Sequence, residues 1–327
     1  MKGMVVKLGK KIPIVAIVGP TATGKTALSI ELAKHYNGEI ISCDSMQIYK
    51  GLDIGTAKPT EDELSQATHH LIGFADIEQN FSVSDYVGVA SKKIETIFNR
   101  GKKSILVGGT GLYARSLLTG LSFEDNSRDE RIRESLEKKA EENGENFLYD
   151  KLREIDSEAA SKIHPNNLKR VIRALEYFEC TGEKFSVQAE NSKEIESNFN
   201  YVMVCLAFRD RQKLYDRINS RVDKMMEMGL LEEAKTFYEQ VSSMKQTPTA
   251  AQAIGYKELF PFFTGEVSLV DAVDKLKMET RRYAKRQLTW FKKEKNINFI
   301  YLDDFDFLDE VLNEIIKIID NSEIFAS

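Results

Sequence analysis

Residues 12–26 read Ile-Pro-Ile-Val-Ala-Ile-Val-Gly-Pro-Thr-Ala-Thr-Gly-Lys-Thr. An apolar, β-branched run ends at Gly19, and Gly19, Gly24, Lys25 and Thr26 fall at the spacing G-x-x-x-x-G-K-[ST]. Ala27 to Tyr36 has helical character, so strand, glycine-rich turn and helix follow in the order this motif requires. In such a turn the glycines let the backbone curl until several N–H groups face inward. Gly19, Pro20, Thr21, Ala22, Thr23 and Gly24 then form a cradle that adds to the positive end of the helix. Lys25 supplies a cation for terminal phosphate oxygens, and the Thr26 hydroxyl is a ligand for Mg²⁺. The stretch therefore predicts a site for a polyphosphate or a pyrophosphate, and does not choose between them.

The whole chain bounds the rest. Its 327 residues are long enough for two domains, or for one α/β core carrying an insertion, and 42% of them are hydrophobic. A net charge of −5 means that a nucleic-acid partner must be met by a local basic surface. Cys43, Cys180 and Cys205 lie far apart with no C-x-x-C pair, which argues against structural zinc and a disulfide framework and fits a reducing cytoplasm. Lys2, Lys7, Lys10 and Lys11 ahead of Ile12–Val18 imitate a secretion signal, but the apolar run is short and leads into the phosphate loop. No run approaches the ~20 apolar residues of a membrane helix, so the expectation is a cytoplasmic protein with no membrane association. No obligate protein partner is evident, and a monomer is the default.

Along the chain, Glu39–Cys43 reads as a second strand with Asp44 at its carboxyl end, facing the crevice of the phosphate loop. Ser45–Thr68 is turn-rich. Ser82 and Asp85 form a capping box opening a helix that stops at Gly101. Ser104–Val107 reads as the third strand and ends in Gly108-Gly109-Thr110-Gly111, a second glycine-rich turn. Residues 122–200 carry helical spacing and no strand pattern until Tyr201–Ala207. The expected architecture is an α/β phosphate-loop core with a parallel sheet flanked by helices, formed by residues 1–121 and 201–327, and an all-helical insertion over 122–200. Asp210 caps a helix ending near Gly229, and Leu230–Val241 makes another. A long helix spans about Ser268 to Lys295, with a last strand near Phe299–Leu302 and a final helix near Phe307–Ile319.

A nucleoside triphosphatase usually shows an apolar strand ending in Asp that holds Mg²⁺. Here the third strand ends in Gly-Gly-Thr-Gly, no guanine-reading Asn-Lys-x-Asp occurs, and the carboxylate sits at Asp44. A cation, a metal-ligand hydroxyl, a second turn with a hydroxyl and one carboxylate suit transfer of a group off a pyrophosphate to an acceptor. Asp44 as a metal ligand or loop cap, and Thr110 as a plain turn hydroxyl, stay open.

Beyond the phosphate loop, Ser42-x-Asp44-Ser45-Met46-Gln47-Ile48-Tyr49, Leu52 to Pro59, His69-His70-Leu71, Gly108 to Tyr113, Arg170 to Glu176, and Thr280-Arg281 with Ala284-Lys285-Arg286-Gln287-Leu288-Thr289-Trp290 resemble the tRNA dimethylallyltransferases. The likeness covers nearly the whole chain and lacks the zinc finger of eukaryotic members, as in the bacterial form. It implies transfer of a dimethylallyl group from dimethylallyl diphosphate to N6 of adenosine 37 of tRNA, with Mg²⁺ held in part by Thr26. Lys25 and the loop would stabilise the departing diphosphate, and Asp44 would take the proton from the amine. The resemblance further implies that Thr110 bonds the bridging oxygen and that Arg221 clamps the leaving group. It places Asp44, Ser45, Met46, Gln47, Thr110, Gln252, Gly255, Tyr256 and Lys257 at the anticodon loop.

Between Asp274 and Lys295 stand nine Lys or Arg against three acids, and Arg281 with Lys285 and Arg282 with Arg286 put like charges at i, i+4. A phosphate backbone would relieve that repulsion. Lys169, Arg170 and Arg173 form a smaller basic cluster in the insertion. The adenosine must leave its stack to meet Asp44. His69 and His70 read as structural, Trp290 as helix core. Three rivals remain: prenylation of free adenine nucleotides, a kinase, and a non-catalytic RNA-binding module. If the basic helix meets RNA phosphates, affinity for tRNA falls steeply as salt rises in a filter-binding series; a flat response removes this surface from the reading.

Overall fold

The computed structural model describes residues 11–120, 129–191 and 197–326. It divides into two compact units, Met1–Leu118 with Asn198–Ser327, and Thr119–Ser197.

The first unit is built on six parallel strands: β1 (Ile12–Val18), β2 (Gly38–Ser42), β3 (His69–His70), β4 (Lys103–Gly108), β5 (Phe199–Ala207) and β6 (Ile297–Tyr301), in the order β3-β2-β4-β1-β5-β6. Central strands of a parallel sheet are covered on both faces and so are apolar at successive positions. Accordingly Ile14 to Val18 of β1 are all at most 1% exposed. The strand expected third is the fourth, because His69 and His70 form a two-residue edge strand beside β2. Neither histidine turns to the site: His70 Nε2 is 2.7 Å from the buried Glu39 carboxylate and His69 Nδ1 is 2.8 Å from the Ala67 carbonyl.

In this unit the helices before the second unit are α1 (Lys25–His35), α2 (Glu61–Gln66), α3 (Val83–Asn99) and α4 (Gly111–Thr119). The Ser82–Asp85 capping box forms as its spacing requires. Thr119–Ser197 holds α5 (Glu130–Asn143), α6 (Glu145–Ile155), α7 (Ser157–Lys162), α8 (Leu168–Thr181) and α9 (Phe185–Asn191), closed around Leu136, Leu148, Leu152, Val171 and Leu175. The chain then returns through β5 to α10 (Arg211–Glu227), α11 (Leu230–Ser242), α12 (Phe260–Phe263), α13 (Leu269–Phe291), β6 and α14 (Leu308–Asn321). The basic helix ends at Phe291, before Lys292, Lys293 and Lys295. Among the described residues no helix is long and apolar enough to cross a membrane.

On one face of the sheet α1 and α14 pack Leu28, Leu32, Ile315 and Ile319 against Val15, Ile17, Ile40, Ile105 and Val204. A second core joins Ile48, Tyr49 and Leu52 to Val222, Phe237, Tyr256, Leu259 and Leu276. The parallel register sets Val18 beside Gly108, and Ser42 beside Val107. The turns after β1, β2 and β4 therefore emerge together at the carboxyl edge of the sheet, the usual place for ligands in such folds. Gly108 is what allows this closeness, since a Cβ there would lie 2.1 Å from the Cys43 carbonyl oxygen, a backbone atom with nowhere to go. Gly108→Ala is expected to cost about 1–3 kcal/mol of stability, the usual overpacking range, read as a lower urea midpoint at unchanged slope.

Candidate active site

The phosphate loop forms as its sequence requires. Gly19 has φ +137° and approaches β5 so closely that a Cβ would stand 2.4 Å from the Leu206 carbonyl oxygen. Gly24 occupies the N-cap of α1 with φ 80°, and no side chain caps this helix, so its first N–H groups are left for an anion. Thr23 Oγ1 donates to the Pro20 carbonyl at 2.9 Å, and Lys25 Nζ donates to the Gly19 and Pro20 carbonyls at 3.0 and 2.6 Å. Burial, then the neighbouring Arg221 guanidinium, pushes Lys25 down to about 8, against a smaller upward pull from Asp44.

Helix α10 clasps this loop from the side. Arg217 Nε donates to the Ala22 carbonyl at 2.9 Å, and Arg221 Nη1 reaches Thr21 Oγ1 at 3.4 Å. Arg221 is held below its ordinary value by burial, with Asp44 pulling the other way. Asp44 lines the same cleft as Lys25, Thr26 and Arg221, a hollow of about 250 Å³. Its Oδ1 accepts from the N–H groups of Met46 (2.9 Å) and Gln47 (3.3 Å), which fixes the carboxylate within its own turn. The loop-cap role left open for Asp44 is thus present in one oxygen, and the carboxylate still faces the cations.

Thr110 Oγ1 accepts from the Ser45 N–H at 3.0 Å and donates to Ser45 Oγ at 3.4 Å, tying the second glycine turn to the Asp44 loop. Met46, Gln252 and Gly255 also line the cleft. Gln47 lines it too, but its amide is used within the chain: Oε1 accepts from Ser42 Oγ at 3.0 Å, while Nε2 donates to the Thr56 and Ala57 carbonyls at 3.2 and 3.0 Å. Tyr256 is fully buried. Its hydroxyl donates to Glu233 Oε1 at 2.6 Å and accepts from the Gly55 N–H at 3.1 Å, so it holds the 53–55 loop and presents no contact surface. Lys257 beside it is half-buried.

Of the basic groups on α13, Lys275, Arg282, Lys285 and Arg286 are exposed. Arg281 donates to Asn219 Oδ1 and Arg282 to Glu279 Oε1, each at 2.6 Å, which relieves part of the like-charge crowding. In the second unit Lys169 and Arg170 are exposed, while Arg173 joins Arg133 on the buried Glu176 carboxylate, at 3.0 and 2.9 Å. Arg173 is in that respect a packing residue of the second unit.

Three residues with no site role in the sequence reading stand in or beside the cleft. Tyr283 and Gln287 line it from the inner side of α13, and Glu233 accepts from the N–H groups of Asp53, Ile54 and Gly55 at 2.9–3.0 Å. Gln287 bonds both glycine-rich turns, to the Thr21 N–H and the Gly109 carbonyl, each at 3.0 Å. The signal for α13 was its i, i+3, i+4 spacing: Thr280, Tyr283, Ala284 and Gln287 share one face. Trp290 belongs to the same face and covers Gly111, where a Cβ would lie 2.2 Å from its ring.

Among the described residues no group of three or more His, Cys, Asp or Glu could hold a metal ion. The donors in the cleft instead fit an ion that keeps waters and leans on substrate phosphates, as Mg²⁺ does.

Fold and site together define a phosphate-loop protein whose cleft joins two buried cations to one carboxylate beneath a basic helix. The IPP transferase family model matches residues 47–294. A Bacillus subtilis tRNA dimethylallyltransferase is 50% identical over 289 residues, covering 88% of this chain and 90% of its own. One from a Thermoanaerobacter species is 46% identical over 307 residues, covering 94% and 97%. The crystal structure of a Bacillus halodurans tRNA isopentenylpyrophosphate transferase, 44% identical, superposes with a TM-score of 0.70 over 97% of this chain and 100% of that one. A eukaryotic dimethylallyltransferase acting on tRNA, 30% identical, gives 0.80 over 96% of this chain and 79% of that one. The chain belongs to the IPP transferase family.

The Lys25 shift has a sign that can be checked. Above about pH 8 Lys25 is largely neutral, and a diphosphate beside it would raise its proton affinity. Pyrophosphate binding is expected to weaken as pH rises from 7.5 to 9.5 and to take up protons near pH 8.5, measured by calorimetry in buffers of different ionisation enthalpy.

Proposed function

We propose that the chain transfers a dimethylallyl group from dimethylallyl diphosphate to N6 of adenosine 37 in tRNA. The observation that carries this reading is the meeting of Lys25, Arg221 and Asp44 in one cleft at the carboxyl edge of the sheet.

The allylic C–O bond breaks with carbocation character at carbon, and the bonding electrons leave with diphosphate. Charge growing on the diphosphate oxygens is met by Lys25, by Arg221 and by the N–H groups at the start of α1. The adenine amine has its lone pair spread into the ring and attacks weakly unless its proton is accepted as the C–N bond forms. Asp44 is the carboxylate in position to accept it, a contribution typically of ~10²–10⁴-fold. Oδ1 is held by two backbone N–H groups, which leaves Oδ2 for the amine. Thr110 lies one hydrogen bond from Ser45, beside that carboxylate, and would release its hydroxyl to the bridging oxygen. Thr26, in the first turn of α1, would be the protein's share of a Mg²⁺ shell. The ion, when bound, supplies further neutralisation of diphosphate charge.

The apolar side of the cleft, with Met225, Val222, Ile254 and Leu276, accepts the five-carbon chain. Lys285 and Arg286 on α13 offer their charges to the RNA backbone, and a splayed loop base enters the cleft.

Incubation with unmodified tRNA and labelled dimethylallyl diphosphate should place the label on the adenosine beside the anticodon, with excess AMP failing to compete. Label on AMP, or none on RNA, would overturn the reading. Asp44→Ala should lower turnover by at least ~10²-fold while tRNA affinity stays within a few-fold; near-normal turnover removes Asp44 as the base.

A further inference from the structure

Gln287 lies about one turn before the end of the basic helix, is 5% exposed, and lines the cleft. Its amide has an acceptor end and a donor end, and each meets its complement. Oε1 accepts the Thr21 N–H of the phosphate loop, and Nε2 donates to the Gly109 carbonyl of the second glycine turn, both at 3.0 Å. Thr21 is held on its other side by Arg221. The room for this bridge is made by a glycine: a Cβ at position 109 would stand 2.0 Å from Gln287 Nε2. One turn along α13, Trp290 meets Gly111 in the same way, so the helix is keyed into the second turn at two points. Glutamate in place of Gln287 would oppose an oxygen to the Gly109 carbonyl, and methionine would keep the length and lose both bonds.

Resting on the diphosphate reading above, we propose that Gln287 is a positioning residue that locks the phosphate loop to the Gly109 turn, so that a diphosphate meets one rigid cradle. The two turns leave adjacent strands whose pairing runs up to Val18 and Gly108. Beyond that pair the carboxamide joins the turns, from a helix whose neighbouring residue Ala284 is fully buried. A cradle fixed in advance binds charge without reorganising, which is where such donors are most effective. Removing the bridge leaves a buried N–H and a buried carbonyl to find new partners.

The test titrates inorganic pyrophosphate into the wild-type chain, Gln287→Met, Gly109→Ala and the double variant by calorimetry, with thermal unfolding of each. Steady-state constants for dimethylallyl diphosphate and tRNA are measured alongside. Gly109→Ala leaves Gln287 in place and displaces its amide. Each single change is expected to weaken pyrophosphate binding about tenfold and to raise KM for dimethylallyl diphosphate by a similar factor, with KM for tRNA within twofold. The double variant should be no worse than either single one, since both break one bridge. If Gln287→Met does not fold, Gln287→Glu and Gly109→Ala carry the same expectation. Pyrophosphate binding by the folded variants within twofold of wild type overturns the proposal and leaves the diphosphate reading standing, as does a fall in tRNA affinity of equal size. A wild-type chain that does not bind pyrophosphate overturns both.

Discussion

The structure turns on two desolvated cations. Lys25 and Arg221 are held in a cleft with one carboxylate beside them, and burial drives both below their ordinary proton affinities. A buried charge without full compensation is costly. The surrounding architecture answers that cost with polar partners: Lys25 rests on the Gly19 and Pro20 carbonyls, and Arg221 reaches the Thr21 hydroxyl. Asp44 supplies a counter-charge to both cations, and its turn fixes one carboxylate oxygen.

That arrangement needs three turns at one edge of the sheet, and the parallel register delivers them. Glycine at 19 and 108 lets backbone meet backbone, and glycine at 109 and 111 lets α13 descend onto the second turn through Gln287 and Trp290. The basic helix is thereby part of the cleft wall as well as a charged surface: its inner side carries Tyr283 and Gln287, its outer side Lys285 and Arg286.

The phosphate loop, the sheet class and the cap of α3 were legible because each depends on local chemistry: a G-x-x-x-x-G-K-T spacing, a continuous apolar strand, and a serine three residues before an aspartate. The helical character of the second unit was legible too, from apolar spacing without strand alternation. What stayed hidden depends on partners distant in sequence. Nothing near Gln287 indicates that its amide spans Thr21 and Gly109, 266 and 178 positions away. Nor does the Gln-Ala-Ile-Gly-Tyr-Lys run show that Tyr256 turns inward to Glu233. The two-residue strand at His69 is too short for any periodicity to register, which displaced the numbering of the strands after it.

The placement of β1 has a consequence for how the molecule is made. This strand is the centre of the sheet, with β4 on one side and β5 on the other, yet β5 lies beyond the whole of Thr119–Ser197. A nascent chain on the ribosome completes the phosphate loop and four strands of the sheet while one border of β1 has no neighbour. At roughly 5–20 residues per second, that open border persists for several seconds, during which an apolar, unpaired edge is a template for unwanted pairing. The insertion thus folds on its own core in the interval when the nascent sheet is most in need of a chaperone.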